Sequence, residues 1–301
     1  MSRVLLIANP VAARTRDHVR MRVAEALARA GWRTEIAITT GPADAKVFAR
    51  EAVAAGVDVV AVFGGDGTSM QAVASIVGTD VALGLIPGGT GNLLAGNLGV
   101  PSNPLRAVRA ITHGRRRKID LGRVALPDGA HYFGVACGAG IDAHIMGQTT
   151  AVHKRRFGMT AYWATTFRSL PLLKSTPVTV TVDGRRADVR ATIVLIMNCR
   201  EMIPGLVPIR PDIHPDDGIL DLITVAADTP WQGVRALARA IANGRRSVIR
   251  SYPELYYDRG TRFTVEPAEA LPVQFDGDPV GTTPFTAEVL PGALTVMVPR
   301  E

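Results

Sequence analysis

Val57-Asp58-Val59-Val60-Ala61-Val62-Phe63-Gly64-Gly65-Asp66-Gly67-Thr68 is the stretch from which the fold can be read. An apolar run broken by one charge predicts a strand over 57–63 that is buried on both faces, as in a parallel sheet. The glycines that follow let the chain turn sharply and bring backbone N–H groups close to a ligand. A helix over 68–77 then leaves the turn, and strand, glycine turn and helix in that order form a phosphate cradle. Asp66, in the middle of the turn, can hold a divalent cation or align a hydroxyl. It can equally be the capping residue of a tight structural turn.

The next segment repeats the arrangement. A strand over 82–86 runs into Ile86-Pro87-Gly88-Gly89-Thr90-Gly91-Asn92, which again opens a helix. Two such turns, one strand-and-helix unit apart, fall on one edge of a parallel sheet, where open α/β proteins bind their ligands. Thr90 and Asn92 offer short polar side chains to phosphate or ribose, although Asn92 also fits a plain helix N-cap. Upstream, an apolar strand over 3–8 precedes a helix over 17–30 with Val19, Val23, Leu27 and Ala30 at helical spacing. A strand at 33–38 and a helix at 43–55 complete the alternation, which implies a parallel α/β domain.

Past Arg115-Arg116-Arg117-Lys118 the texture changes. Short strand candidates at 119–125, 131–137, 177–183, 190–198, 219–225, 261–266 and 293–298 are separated by turns such as Pro127-Asp128-Gly129 and Asp183-Gly184. They predict a β-rich, antiparallel second domain, interrupted by helices near 158–169 and 230–243. The boundary falls near 120, giving domains 1–120 and 121–301, with the last strand able to pack back on the first. The basic run at 115–118 reads as a solvated interdomain turn.

With 47% hydrophobic and 20% charged residues over 301 positions, the chain can bury a substantial core. Cys137 and Cys199 have neither disulfide nor metal-ligand spacing and read as buried thiols of a reduced, cytoplasmic protein. The apolar run at 4–8 is too short for a signal-peptide core, and no stretch reaches the 18 apolar residues of a membrane-spanning helix. A formal charge of +7 favours anionic partners: nucleotide phosphates or anionic lipid headgroups. Aromatics are only 5% and do not interleave with the basic residues, so no nucleic-acid partner is expected.

Asn9-Pro10 after the first strand and the glycine turns at 64–68 and 87–92 resemble the catalytic domain of diacylglycerol kinases, sphingosine kinases and their bacterial relatives. The resemblance continues in Pro211-Asp212-Ile213-His214-Pro215-Asp216-Asp217-Gly218-Ile219-Leu220-Asp221, similar to the family's acidic turn. It also covers Phe275-Asp276-Gly277-Asp278, similar to the family's late Asp-Gly-Glu motif. The resemblance implies an α/β nucleotide domain related to phosphofructokinases and NAD kinases, followed by a β-rich, sandwich-like lipid-side domain. It implies ATP-dependent phosphorylation of a lipid hydroxyl, on diacylglycerol or a related lipid such as a long-chain base. ATP would be held by Asn9, Pro10 and Thr39, by Gly64, Gly65, Asp66, Gly67, Thr68 and Gln71, and by Gly89, Thr90 and Asn92. The acidic turn would hold Mg²⁺ through the Asp217 carboxylate and the carbonyls of His214 and Ile219, the hard oxygens that ion requires; read alone, the same residues make a β-turn rich in Asp and Gly. Asp278 or Asp66 would be the general base.

Three departures from the family pattern stand out. Asp278 replaces the usual Glu and reaches about one methylene less. Gln71 stands where a Glu is common. Leu93-Leu94-Ala95 follows Asn92 where bacterial members often carry Asp, a form closer to the sphingosine-kinase-like branch. Two rival readings stay open: an NAD kinase or other soluble small-molecule kinase, which shares the Gly-Gly-Asp-Gly turn, and a non-catalytic nucleotide- or lipid-binding regulator. The stretch 144–173 mixes His153-Lys154-Arg155-Arg156 with Phe157, Tyr162, Trp163 and Phe167. It suits either contact with the inner face of the membrane or a core helix with a solvated basic end. A homodimer also stays open.

Overall fold

Three runs of continuous apolar sequence build the centre of the first unit. The computed structural model describes residues 1–126, 129–140, 174–201, 212–236, 239 and 252–300. The helix expected near 158–169 and the candidate lipid contact at 144–173 lie outside these residues. The chain divides into two units, Met1–Ile119 with Gly292–Glu301, and Asp120–Pro291.

In the first unit, β1 (Arg3–Ala8), β2 (Arg33–Ile38), β3 (Val59–Gly64) and β4 (Ala82–Pro87) lie in the order β2-β1-β3-β4. All three pairs are parallel. Every residue of β3 and β4 is buried, as expected of inner strands covered on both faces. The helices cover the sheet through small residues. α1 (Asp17–Arg29) buries Val23, Ala24 and Leu27, and α2 (Asp44–Ala54) buries Ala45, Ala49 and Ala52. α3 (Asp66–Ile76) packs on α2 and buries Ala72, Val73 and Ile76 at helical spacing. α4 (Leu93–Asn97) is short. In α5 (Pro104–His113) the Asn103 side chain accepts from the Leu105 and Arg106 amides and Pro104 opens the helix; such a cap contributes about 1 kcal/mol.

The second unit starts within β5 (Arg115–Leu126), which pairs with β6 (Gly129–Phe133). β7 (Ala136–Gly140), β8 (Thr176–Val182), β9 (Arg185–Ala191), β10 (Ile193–Met197) and β11 (Leu220–Val225) follow. β12 (Leu255–Gly260), β13 (Arg262–Pro267), β14 (Pro272–Phe275), β15 (Asp278–Thr282) and β16 (Phe285–Val298) complete the chain. One antiparallel sheet has the order β12-β11-β10-β7-β14-β15, while β16, β13, β8 and β9 are neighbours in another. β8 alternates strictly, with Val178, Val180 and Val182 inward. These meet Ile196, Leu222, Phe263, Val265 and Phe275 in one core. Each such burial contributes about 1.5–3 kcal/mol.

Three strand expectations change. Residues 115–118 are not a turn but the start of β5. The Arg116 guanidinium donates to the carbonyls of Asp80 and Asp58, both at 3.1 Å, which fixes the run in extended form. The strand expected over 131–137 breaks at Gly134-Val135, and the one over 190–198 breaks at Thr192. There the Thr192 hydroxyl donates to the Ala227 carbonyl at 2.7 Å and accepts from its amide at 2.9 Å. β16 runs through Pro291-Gly292 and pairs with β4 through Val296 and Leu83 in the first unit.

Candidate active site

The strand order β2-β1-β3-β4 has its switch point between β1 and β3, and beside it a crevice lined by Gly64, Gly65, Asp66, Ser69, Pro87 and Asn92 opens beyond the carboxyl ends of β3 and β4. Asn9 follows β1 at this point. Its amide N–H donates to the Phe63 carbonyl at 3.0 Å, and its side-chain Nδ2 donates to the Thr68 hydroxyl at 2.9 Å. The Asn9 Oδ1 accepts from the Val11 amide at 3.0 Å, turning the loop back over the strand end. Pro10 is exposed on that loop. Thr39 caps β2, its amide donating to the Ala8 carbonyl at 3.0 Å.

Both glycine turns sit at this edge and touch. The amides of Gly88 and Gly89 donate to the Gly64 carbonyl at 2.8 and 3.1 Å. A Cβ on Gly89 would lie 2.7 Å from the Gly65 Cα, so glycine is required by the close approach of two backbones. Gly64 ends β3 and Gly65 precedes α3, so Asp66, Gly67 and Thr68 form the first turn of that helix. Their N–H groups have no carbonyl in a preceding turn, and the helix dipole adds positive potential there. The half-buried Asp66 carboxylate leans toward the second turn, 2.9 Å from where a Cβ on Gly91 would be. Gln71 is half-buried further along α3, and Thr90 is exposed.

Asn92 stands at the N-cap position of α4, but its side chain does not cap the helix. It adopts the left-handed conformation (φ 50°), and its side chain holds both polar groups of Gly89. Oδ1 accepts from the Gly89 amide at 3.0 Å, and Nδ2 donates to the Gly89 carbonyl at 2.8 Å. It locks the turn. Thr15 and Arg14 were not singled out by sequence pattern, yet both brace the crevice. The buried Thr15 hydroxyl donates to the Asn9 carbonyl, and the Arg14 amide donates to the Gly88 carbonyl at 3.0 Å.

In the second unit, Asp276 and Gly277 form a two-residue hairpin turn between β14 and β15, both with positive φ (48° and 92°). The Asp276 carboxylate is built into the fold. It accepts from the amides of Gly134, Val135 and Ala136 at 2.7, 2.9 and 2.9 Å, across the break between β6 and β7. Asp278 heads β15 opposite Phe275 and is exposed. Asn198 reinforces the break, its buried Nδ2 donating to the carbonyls of Asp120 and Gly134, both at 2.9 Å.

The acidic turn lies in the same unit. The Asp217 Oδ1 accepts from the Ile219 amide at 3.2 Å, and the buried Asp120 accepts from the Gly218 amide at 2.7 Å. Burial pushes the Asp217 carboxyl above its ordinary pKa, against the Ile219 hydrogen bond and the Arg259 charge, with Asp120 adding to the rise. Arg259 stands 3.9 Å from Asp217 and 2.9 Å from Asp221. Burial likewise raises the Asp221 pKa, opposed by its hydrogen bond from Tyr257 and the Arg259 charge. Carboxylates whose charge is held at a cost, in a donor set made only of oxygens, fit a hard divalent cation. Among the described residues no three His, Cys, Asp or Glu side chains converge on a metal-binding point, so backbone carbonyls would complete the set.

Two family models match the chain. Residues 3–124 match the family model of the diacylglycerol kinase catalytic domain, and residues 135–298 match the YegS C-terminal NAD kinase beta sandwich-like domain. The chain is 31% identical over 260 residues to a diacylglycerol kinase of Mycobacterium tuberculosis, covering 85% of this chain and 82% of that protein. It is 30% identical over 288 residues to a protein of Chromohalobacter salexigens named "Probable lipid kinase YegS-like", covering 92% of this chain and 89% of that one. A solved structure of a diacylglycerol kinase from Bacillus anthracis superposes with a TM-score of 0.75 at 25% identity, over 99% of this chain and 97% of the other. The chain belongs to the family of lipid kinases that join a diacylglycerol kinase catalytic domain to this C-terminal sandwich.

Proposed function

We propose that the chain transfers the γ-phosphate of ATP to a hydroxyl of diacylglycerol or of a related lipid such as a long-chain base. One observation carries the reading: two glycine turns hydrogen-bonded to each other at the carboxyl edge of a parallel sheet, with Asn9, Thr68 and Asp66 around them. Phosphoryl transfer asks little covalent chemistry of a protein, and positioning with charge neutralisation dominates. The two turns present backbone N–H groups to the β- and γ-phosphates, and Thr68 is oriented by Asn9. Thr39 and Thr90 lie at neighbouring loops of the same edge.

The acceptor hydroxyl attacks the γ-phosphorus, loses its proton to a carboxylate, and the β–γ bridging oxygen leaves with ADP. Asp278 is the proton acceptor in this reading and Asp66 would hold Mg²⁺; Asp66 is the competing base. When bound, Mg²⁺ neutralises phosphate charge at Asp66, and at the acidic turn it would be held by Asp217 with the His214 and Ile219 carbonyls. The protein reaches its substrate from the cytoplasmic side of a membrane.

A panel assay tests this. Purified protein is incubated with γ-labelled ATP, Mg²⁺ and separately diacylglycerol, a long-chain base, a polyprenol or, as the soluble acceptor, NAD. The expected result is label in the organic extract with one class of lipid. Label on none of them, with NAD phosphorylated in the aqueous phase instead, would replace the lipid acceptor by a soluble one.

A further inference from the structure

Among the described residues, Trp231 at 72% and Val234 at 55% stand out as exposed large apolar side chains in the second unit. Residues 230–236 are helical, so positions three apart sit side by side on one face. The helix is fixed without them. Its start is a reciprocal cap: the Gln232 Oε1 accepts from the amides of Asp228 and Thr229 at 2.7 and 3.1 Å, and the Gln232 amide donates to the Thr229 hydroxyl at 3.3 Å. The helix is held to the fold by Ala236, which is fully buried, and by Arg235 and Arg239, which both bond the Glu254 carboxylate. Arg239 also lies over the Tyr252 ring at 4.5 Å. Trp231 is therefore held out in solvent by an ordered helix.

The charge beside this face is positive. Arg235 and Arg239 remain 47% and 35% exposed while sharing one nearly buried carboxylate. Asp228, before the helix, is occupied by the amide and hydroxyl of Ser175 and faces Arg190. An indole with an aliphatic neighbour and cationic side chains one turn on is the composition of an interfacial helix, whose apolar side enters the headgroup region while arginines meet anionic lipid. We propose that Trp231 and Val234, flanked by Arg235 and Arg239, dock the second unit on the surface of an anionic lipid bilayer. The inference rests on the lipid-acceptor reading, since such an acceptor resides in a bilayer and no described helix is long and apolar enough to cross one.

The test uses the full chain and vesicles of phosphatidylcholine with or without phosphatidylglycerol. Co-sedimentation of the double variant Trp231→Ala/Val234→Ala should fall about tenfold on the anionic vesicles, and Trp231→Phe should lose far less. Melting temperatures should stay together, and turnover of a short-chain diacylglycerol dispersed without vesicles should be unchanged. Brominated phosphatidylglycerol should quench wild-type tryptophan emission more than that of Trp231→Phe. Equal vesicle binding by wild type and double variant, or none by wild type, would overturn the proposal. So would a wild-type dimer that the double variant dissociates, which would assign the face to a second copy. If anionic vesicles bind through Trp231 but no lipid is phosphorylated, docking stands and the acceptor reading fails.

Discussion

Gly89→Ala is the sharpest probe of the paired turns. The new methyl would meet the Gly65 Cα at 2.7 Å and the Gly65 nitrogen at 3.4 Å, and backbone cannot swing aside as a side chain can. Carbon atoms rest about 3.5–4.0 Å apart, so the turns must separate by about 1 Å. Two effects follow, and their sizes differ. Stability falls by about 1–3 kcal/mol, the range for overpacking, as the Gly64 carbonyl loses its grip on the Gly88 and Gly89 amides. Activity falls further, because a misplacement of about 1 Å in a positioning site costs about 10²-fold. Steady-state kinetics with ATP as the varied substrate, alongside thermal melting, reads both. Gly91→Ala separates the two effects: its methyl lies closest to the Asp66 Oδ2, at 2.9 Å, with Leu93 in ordinary contact at 3.7 Å, and a side chain can move where backbone cannot. It should keep wild-type stability and lose activity only through the displaced Asp66 carboxylate. If Gly89→Ala retains more than half of the wild-type kcat/KM at unchanged melting temperature, the close approach of the turns has no part in holding phosphate.

Asp276→Ala strips three backbone amides of their acceptor and should cost about 3 kcal/mol or more in urea unfolding, since bonds to a charged group contribute about 1.5–3 kcal/mol each; a loss below about 1 kcal/mol would contradict the lock. Asp278→Asn should cut kcat about 10²–10⁴-fold with ATP affinity and stability nearly unchanged, and Asp278→Glu should recover part of the rate; near-normal turnover in the Asn variant would move the base to Asp66. The raised Asp217 pKa means that the folded state binds its proton more tightly than the unfolded state, so metal-free stability falls as pH rises from about 3.8 through the folded pKa. In chelator at neutral pH, Asp217→Asn should therefore melt no lower than wild type, while Mg²⁺ should raise the melting temperature of wild type alone. Equal Mg²⁺ responses in the two proteins would exclude a cation at that turn.

The first unit was legible because its signals are local. Buried parallel strands are continuous apolar runs, and the turns that bind at their ends are rich in glycine, so β1, β3, β4 and both turns follow from short windows of sequence. Where the outcome depends on distant partners, short windows fail. Arg115-Arg116-Arg117-Lys118 looks like solvated loop until the carbonyls of Asp58 and Asp80 are available to Arg116. Asp276-Gly277 announces a hairpin, but nothing nearby says that Asp276 will hold amides some 140 positions earlier and split the strand expected over 131–137. Asn92 shows the same limit at smaller range: the residue type suits an N-cap, and the left-handed turn sends its side chain to Gly89 instead. The family resemblance supplied the roles of Asp217 and Asp278, which spacing alone would leave as turn residues.

The central claim is transfer of phosphate from ATP to a lipid at the paired turns. It is tested most directly by counting γ-label in the organic phase for wild type and Asp66→Asn, with ATP, Mg²⁺ and the best acceptor of the panel all saturating. Label is expected in the wild-type extract, with a loss of more than tenfold, about 1.4 kcal/mol or more in the barrier, in an Asp66→Asn protein that melts like wild type. An unlabelled wild-type extract, or an Asp66→Asn rate above about a tenth of wild type, would contradict it.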